Sequence, residues 1–435
     1  MDYDLAIIGA GWAGFNAALK AKSKGLKTAL IEKNNLGGTC LNRGCIPTKT
    51  LLASAKIYNL AKIAKIFGIE TLNPHLNLNE AQARKNKIIQ QLRKGMESAL
   101  GGVDFINEGA RLVSENTIEI GQRQINAKSI LIATGSRPYA LKDIKFDGKK
   151  VISSDEILDL EELPGSLLII GGGVIGCEFA SLFSSFDCGV SVVELEPQLL
   201  PGMDEEIAKK IEIIFKKKGI KIYTKTDATT VDLSNYNLVL VCVGRAPNTE
   251  GLGLEEQGVK LEGKRILVDE YLKTNLPNIY AAGDCANETM LAHFAAYQGE
   301  IAAENIMGHS HPKKVYSQNI PSCIFTEPEI GSVGLTEKEV KSAGTDVKIN
   351  RFDFLGSGMA RILNETEGFI KILSDKKTGQ VLGASIIGPR ATELIGILTL
   401  AVKSRLKISE LKEIIFPHPT LSEGIASALK EGYGI

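Results

Sequence analysis

The sequence predicts an α/β fold of two Rossmann-like units followed by a C-terminal α+β unit. Three observations carry that expectation. Two apolar strands run straight into glycine-rich turns, at Gly9 and Gly171, and each turn leads to a helix and a second strand ending in an acid. Those acids, Glu32 and Glu194, both lie 23 residues beyond the first glycine of their turn (9 to 32, 171 to 194). From about residue 316 the character changes, with strand-like segments ahead of an apolar helix and no further glycine motif.

The chain has 435 residues, too many for one ordinary core, and about three domains are expected. Hydrophobic residues make up 44% and glycines number 44, as suits an α/β protein with many tight strand–helix turns. The 51 basic and 51 acidic side chains balance, which argues against nucleic acid or an anionic membrane as the main partner. The start, Met1-Asp2-Tyr3-Asp4, is acidic and unlike a signal peptide. The most apolar stretch, Leu167 to Ile175, is short and broken by three glycines, so no membrane span is expected. Seven cysteines (40, 45, 177, 188, 242, 285, 323) are an odd, scattered set, unlike a secreted disulfide framework. A cytoplasmic protein is the expectation.

In the first unit a buried strand, Asp4 to Ile8, enters Gly9-Ala10-Gly11-Trp12-Ala13-Gly14 and a helix of small residues. The strand Thr28 to Ile31 follows and ends at Glu32. This is a dinucleotide pattern: Gly9 makes the turn and Gly11 lets backbone approach a pyrophosphate. Gly14 lets helix and strand pack closely, and Glu32 takes ribose hydroxyls. The unit is expected to span 1–147, and the charged loop Lys142 to Lys150 suits a boundary.

The second unit, 148–268, repeats the construction with Leu167 to Ile170, then Gly171, Gly173 and Gly176, then Ser191 to Glu194. Leu195 and Glu196 follow, with no arginine nearby to receive a 2′-phosphate, so NAD is expected over NADP. A helix from Asp204 to Lys218 shows an apolar face at Ile207, Ile211, Ile214 and Phe215. In the last unit, 316–435, strands are expected at Ile320 to Phe325, Phe369 to Leu373 and Val381 to Ile387. A helix follows from about Thr392 to Lys403.

Cys40 and Cys45 lie in the run Gly37-Gly38-Thr39-Cys40-Leu41-Asn42-Arg43-Gly44-Cys45-Ile46-Pro47-Thr48-Lys49. A C-x-x-C spacing would suggest thioredoxin chemistry or zinc, but this ring is wider. Zinc would need more ligands, and the next cysteine is Cys177; no metal site is expected. Cys45 opens an amphipathic helix with Leu51, Leu52, Ala55, Ile57, Tyr58 and Ala61 facing inward. A helix N-terminus and the cation of Lys49 both favour its thiolate. The bland alternative is two small buried residues. Cys177, Cys188, Cys242, Cys285 and Cys323 read as ordinary core. Two dinucleotides plus a dithiol imply a flavin between nicotinamide and sulfur, because hydride chemistry must become thiol–disulfide exchange.

The tail holds Phe416-Pro417-His418-Pro419-Thr420-Leu421-Ser422-Glu423. Thr420 and Glu423 have the spacing of a capping box that opens the last helix, and a surface turn histidine is the bland reading of His418. A histidine oriented by a carboxylate would also supply the base that thiol oxidation needs.

These strings resemble the FAD-dependent pyridine nucleotide–disulfide oxidoreductases, most closely the lipoamide branch, over essentially the whole length. The likeness rests on Gly37 to Lys49, Gly171 to Glu178, Val243-Gly244-Arg245-Ala246-Pro247-Asn248, Tyr280 to Asp284, Leu291-Ala292-His293 and His418 to Glu423. The resemblance implies that Cys40 meets the substrate and Cys45 lies against the flavin. It pairs Lys49 with Glu178, sets Asp284 on the ribityl chain, and aims the helix starting near Ala292 at the flavin. Further cofactor contacts are implied at Gly38, Thr39, Gly109, Thr134, Gly135, Leu291 and Gly244, with 269–315 completing the FAD unit.

His418 and Glu423 would form an acid–base dyad that serves the neighbouring subunit of a homodimer. The implied reaction oxidises dihydrolipoyl groups, free or on a carrier protein, with FAD and NAD as cofactors. Leu41 and Ile46 fit the lipoamide branch, Val174 replaces the tyrosine gate of glutathione reductases, and the end Gly432-Tyr433-Gly434-Ile435 lacks the Cys-Cys pair of mercuric reductases. Arg43, Thr48 and Phe416 depart from the branch pattern, and Arg43 and Phe416 are expected to border the disulfide pocket. A related NAD(P)H-dependent reductase of another disulfide is the alternative, and a non-enzymatic flavin redox sensor is the other.

Overall fold

Two sheets built around parallel strands and one antiparallel sheet organise the chain, in a computed structural model that describes residues 1–308, 311–316 and 319–430. The first sheet comprises β1 (Tyr3–Ile8), β2 (Thr28–Ile31), β3 (Asp104–Ile106), β4 (Ala110–Leu112), β5 (Thr117–Ile120) and β6 (Arg123–Ile132), in the order β3-β2-β1-β6-β5-β4. Its helices are α1 (Trp12–Ser23), α2 (Gly38–Arg43), α3 (Cys45–Lys62) and α4 (Leu78–Ala99). Successive side chains of a strand point to opposite faces. Leu5 and Ile7 accordingly join one core with Leu30 and Leu131. Ala6 and Ile8 join another with Ile31 and Ile132. A sheet buried on both faces reads as an unbroken apolar run.

The chain leaves through β7 (Ser136–Pro138) into a fully parallel sheet of β8 (Val151–Ile152), β9 (Ser166–Ile170), β10 (Gly189–Val193), β11 (Lys221–Tyr223) and β12 (Leu238–Val241). Helix α5 (Val174–Ser185) follows its glycine turn, and α6 (Glu205–Lys217) buries Ile207, Ala208, Ile211, Ile214 and Phe215. Asp204 caps α6 by accepting from the Glu206 amide at 3.0 Å.

The return begins at β13 (Arg245–Pro247), which pairs antiparallel with β7, so exit and re-entry run side by side. Here the structure corrects the expected boundary. Residues 249–268, placed by sequence in the second unit, pack against the first. Leu254, Val259 and Ile266 enter the core of Ile8, Ile118 and Ile130, and β14 (Leu261–Glu262) and β15 (Arg265–Ile266) form a small hairpin there. β16 (Ile279–Ala281) then pairs with β6, and α7 (Ala292–Ile306) crosses α1 so closely that a Cβ at Gly299 would lie 2.0 Å from Ala13 O.

The last unit is antiparallel. β17 (Ser322–Ile324), β18 (Glu329–Gly334), β19 (Val347–Asp353), β20 (Phe369–Asp375) and β21 (Val381–Gly388) pair in the order β17-β18-β21-β20-β19. Helices α8 (Glu337–Ser342), α9 (Gly358–Ile362), α10 (Ala391–Lys403), α11 (Ile408–Lys412) and α12 (Glu423–Leu429) accompany it. Lys371 on β20 is bound by Asp204, Glu206 and Glu337, tying this unit to α6. Among the described residues no helix is long and apolar enough to cross a membrane.

Candidate active site

Gly44 brings the two thiols together. It separates α2 from α3, and a Cβ there would sit 3.0 Å from Thr39 O and 3.3 Å from Cys40 Cα. Without that side chain, α3 starts directly against α2, and Cys45 at its first position meets Cys40. Both thiols are free and half-buried. The Cys40 thiol donates to Cys45, and this bond, reinforced by burial, pushes Cys40 well up. The same bond pulls Cys45 down to about 7 against its burial, with help from Lys49 and opposition from Glu178. Cys45 is therefore the thiolate of the pair.

Lys49 lies one turn along α3. Its Nζ donates to Glu178 Oε1 at 2.8 Å and Oε2 at 2.7 Å and stands 4.7 Å from the Phe325 ring centroid. Glu178 is buried and also accepts from the Phe325 amide at 2.9 Å. The inward face of α3 is narrower than expected: Ile57 is exposed. It sits six residues beyond Leu51 and two beyond Ala55, about 120° and about 160° around the helix from those buried residues.

The two glycine turns are near copies. Gly9 and Gly171 have φ of +105° and +108°, and a Cβ at Gly14 or Gly176 would come within 1.8 or 1.9 Å of the preceding turn's carbonyl. A Cβ at Gly11 would meet only Gly38 Cα at 3.8 Å, and one at Gly173 nothing within 4 Å. The second glycine of each turn thus leaves the open approach a pyrophosphate needs. Each acid is held alike. Glu32 accepts from the Ala10 and Asn34 amides at 2.9 and 2.8 Å, and Glu194 from Gly172 and Glu196 at 2.6 and 2.8 Å.

A cavity of about 500 Å³ joins the first turn to the thiols. Gly11, Glu32, Gly38, Thr39, Cys40, Cys45, Lys49, Thr134, Gly135, Glu178, Asp284, Leu291 and Ala292 all line it. Its polar groups suit a flavin dinucleotide: an acid at one end, glycine amides between, and a carboxylate, Asp284, fixed by Ser136 Oγ at 2.6 Å. Gly9 and Gly14 form the turn beneath it. Gly171, Gly173, Gly176, Glu194 and Gly244 belong to the second turn and its neighbourhood, outside this cavity, and Gly109 is not in its wall. Gly109 lies between β3 and β4, neither of which contributes to the cavity wall.

Several wall residues escaped the sequence reading. Arg245 donates to Ser136 Oγ and O at 2.7 and 2.8 Å. Asp155, pushed up by burial against the pull of Arg245 and Arg43, joins the wall from the second unit. Cys323, expected in ordinary core, lines the cavity half-buried, its thiol pushed up to about 11 by burial. Cys242 is also only partly buried. Arg43 does border the cavity, 3.5 Å from Asp155 Oδ2. Phe416 packs on the core of the last unit and does not line the cavity of its own chain.

His418 and Glu423 meet at 2.8 Å, Nδ1 to Oε1. The Thr420 amide and His418 hold the Glu423 carboxyl below its ordinary value. Only half of the expected capping box forms: Glu423 Oε2 accepts from the Thr420 amide at 2.8 Å, but Thr420 Oγ1 donates to Pro417 O. His418 is 80% exposed, and neither residue lines the thiol cavity of its own chain. The terminal Gly432-Tyr433-Gly434-Ile435 lies outside the described residues.

Residues 3–299 match the family described as pyridine nucleotide-disulphide oxidoreductase, and residues 320–429 match the dimerisation domain of that family. The chain is 39% identical to a dihydrolipoyl dehydrogenase of Bacillus subtilis (strain 168), over 98% of this chain and 97% of that one. It is 40% identical to one of Chlamydia pneumoniae, over 97% and 95%. Among solved structures, LpdA of Mycobacterium tuberculosis superposes with a TM-score of 0.90 at 28% identity, covering 98% of each chain. The HOCl-induced flavoprotein disulfide reductase RclA of Escherichia coli gives 0.89 at 29%, covering 98% and 99%.

Proposed function

The chain belongs to the pyridine nucleotide–disulfide oxidoreductase family, and we propose that it is a homodimeric dihydrolipoyl dehydrogenase using FAD and NAD. The observation that carries this reading is the Cys40–Cys45 pair on the wall of the dinucleotide cavity, with Cys45 biased to thiolate and Lys49–Glu178 behind it. The identity to dihydrolipoyl dehydrogenases over nearly the whole chain supports the substrate. Free cysteines throughout the chain suit a reducing compartment, and the cytoplasm is the location proposed.

Each residue then has a task. His418 Nδ1 is occupied by Glu423, which leaves Nε2 to take a proton from the dithiol. Exposed on its own chain, the dyad serves the thiol pair of the partner protomer. The substrate thiolate attacks Cys40 in the Cys40–Cys45 disulfide, and the electron pair of the broken bond goes to Cys45. The second substrate thiolate closes the lipoyl disulfide and releases Cys40. FAD, when bound, supplies the conversion between the dithiol's electron pair and hydride transfer to NAD. Gly11, Gly38, Thr39, Glu32, Thr134, Gly135, Asp284, Leu291 and Ala292 would hold FAD. Gly171, Gly173, Gly176, Glu194 and Gly244 would hold NAD. Lys49, held by Glu178, favours the Cys45 thiolate.

Arg43 favours one second reading. A half-exposed cation on the cavity lip suits a disulfide that bears anionic groups. A panel of lipoamide, glutathione disulfide, coenzyme A disulfide and mercuric ion, each with NADH and NADPH, separates the two. Lipoamide with NADH should dominate kcat/KM; a preference for an anionic disulfide would replace the substrate assignment.

A further inference from the structure

Trp12, the chain's single tryptophan, is the first residue of α1, next to Gly11. The Gly11 and Gly38 backbones cross so closely that a Cβ at Gly38 would lie 2.6 Å from Gly11 Cα. This contact sets the start of α1 against the start of α2, the helix that carries Cys40. Trp12 and Cys40 line the same cavity. Among the described residues the indole Nε1 has no hydrogen-bond partner although it is buried. A buried donor without an acceptor is costly, and the Cys40 sulfur on the same cavity wall becomes an acceptor when it ionises. The indole already favours the ionised form of Cys40, against the effects of Cys45 and burial.

With Cys40 as the exchanging thiol of the function proposed above, we propose that Trp12 Nε1–H donates to the Cys40 thiolate as it leaves the mixed disulfide. In the first exchange the bond from substrate sulfur to Cys40 forms, the Cys40–Cys45 bond breaks, and the electron pair leaves on Cys45. In the second, the other substrate thiolate attacks its own sulfur in the mixed disulfide. The lipoyl S–S bond forms, the bond to Cys40 breaks, and the pair leaves on Cys40 Sγ. Lys49 is committed to Glu178 and serves the Cys45 side. Leaving ability follows thiol acidity, and Cys40 is otherwise the less acidic of the two. The indole N–H supplies the stabilisation where it is missing.

Because Trp12 is the only tryptophan, growth of a tryptophan auxotroph on β-(3-benzothienyl)alanine replaces one N–H by sulfur, at this position alone. The test uses the FAD-loaded Cys45→Ser protein, in which Cys40 is the remaining thiol of the pair, and follows the pH dependence of its alkylation by iodoacetamide, with Cys40 confirmed by peptide mass. Loss of the N–H should raise the Cys40 midpoint by about one pH unit or more. A midpoint moved by less than about 0.3 unit overturns the proposal. Trp12→Phe is the second variant and should give the same shift, with bound FAD as the check of folding. In the two-thiol protein, a thiol substrate captured as a mixed disulfide at Cys45 would overturn the exchange-thiol reading and this inference with it. Capture at Cys40 with an unmoved midpoint overturns the inference alone.

Discussion

Lys49 and Glu178 form a two-point contact, Nζ to Oε1 at 2.8 Å and to Oε2 at 2.7 Å, between the thiol helix and the helix of the second glycine turn. The third hydrogen bond to Glu178, from the Phe325 amide, comes from the last unit, so one buried carboxylate gathers all three parts of the chain. The contact also keeps a cation beside the Cys45 thiol, which lies at about 7 after the opposing effects of Cys40, burial, Lys49 and Glu178.

Lys49→Met removes that cation and leaves Glu178 unpaired near the sulfur. The Cys45 midpoint should move upward from about 7, because both changes disfavour thiolate. In wild type the thiolate band of reduced protein should grow as pH rises through about 7 and fade below it. In Lys49→Met the same rise should begin at higher pH. Absorbance titration of the anaerobically reduced holoenzyme measures both.

His418→Gln keeps a side chain that Glu423 can hold but removes the base. Dithiol oxidation should slow by roughly 100-fold or more, with a smaller loss for Glu423→Gln, which leaves the imidazole in place. Steady-state turnover of dihydrolipoamide with NAD checks this; wild-type rates in His418→Gln would remove the histidine from the mechanism.

Glu194 is buried, with both oxygens held by backbone amides. A 2′-phosphate brought against it would place like charges together, at a cost of several kcal/mol. NAD should therefore exceed NADP in kcat/KM by about 100-fold or more, and Glu194→Gln should narrow that ratio by at least about tenfold. The two coenzymes compared on both proteins give the answer.

Lys371 and Asp204 are each only 2% exposed at the side chain. Burial alone would lower the lysine's pKa, but Glu206, Glu337 and Asp204 override it and raise it from 10.5 to about 12. Stability from this group is therefore complete below about 10.5 and lost as pH climbs through about 12. Lys371→Met should lower stability at neutral pH by about 3–5 kcal/mol, since it leaves the Asp204 carboxylate buried without its cation. The gap between wild type and variant should close across that alkaline interval, as followed by urea denaturation.

Much of the site was readable in sequence because its parts are local. Each glycine turn is one short motif: a Cβ at Gly14 or Gly176 would strike the carbonyl of Gly9 or Gly171, although one at Gly9 or Gly171 would strike the distant backbone of Ala133 or Cys242. Cys40 and Cys45 are brought together by Gly44 between them. What could not be read depends on approach across the chain. Asp155 reaches Arg43 over 112 residues, and Trp12 gains its neighbour through the Gly11–Gly38 crossing. The boundary near residue 268 failed because Leu254, Val259 and Ile266 would fit either sheet, and only the β7–β13 pairing returns them to the first. Cys323 resembled a core cysteine because its strand is apolar, while its position at the cavity follows from packing of the last unit against α3 and α5.

The division of labour between the two thiols is the centre of this account, and one comparison tests it directly: visible absorbance of FAD-loaded Cys40→Ser and Cys45→Ser above pH 7. Cys40→Ser, with Cys45 free beside the flavin site, should show the long-wavelength thiolate-to-flavin band without any reductant, and Cys45→Ser should lack it. A band in Cys45→Ser, absent from Cys40→Ser, would contradict the assignment.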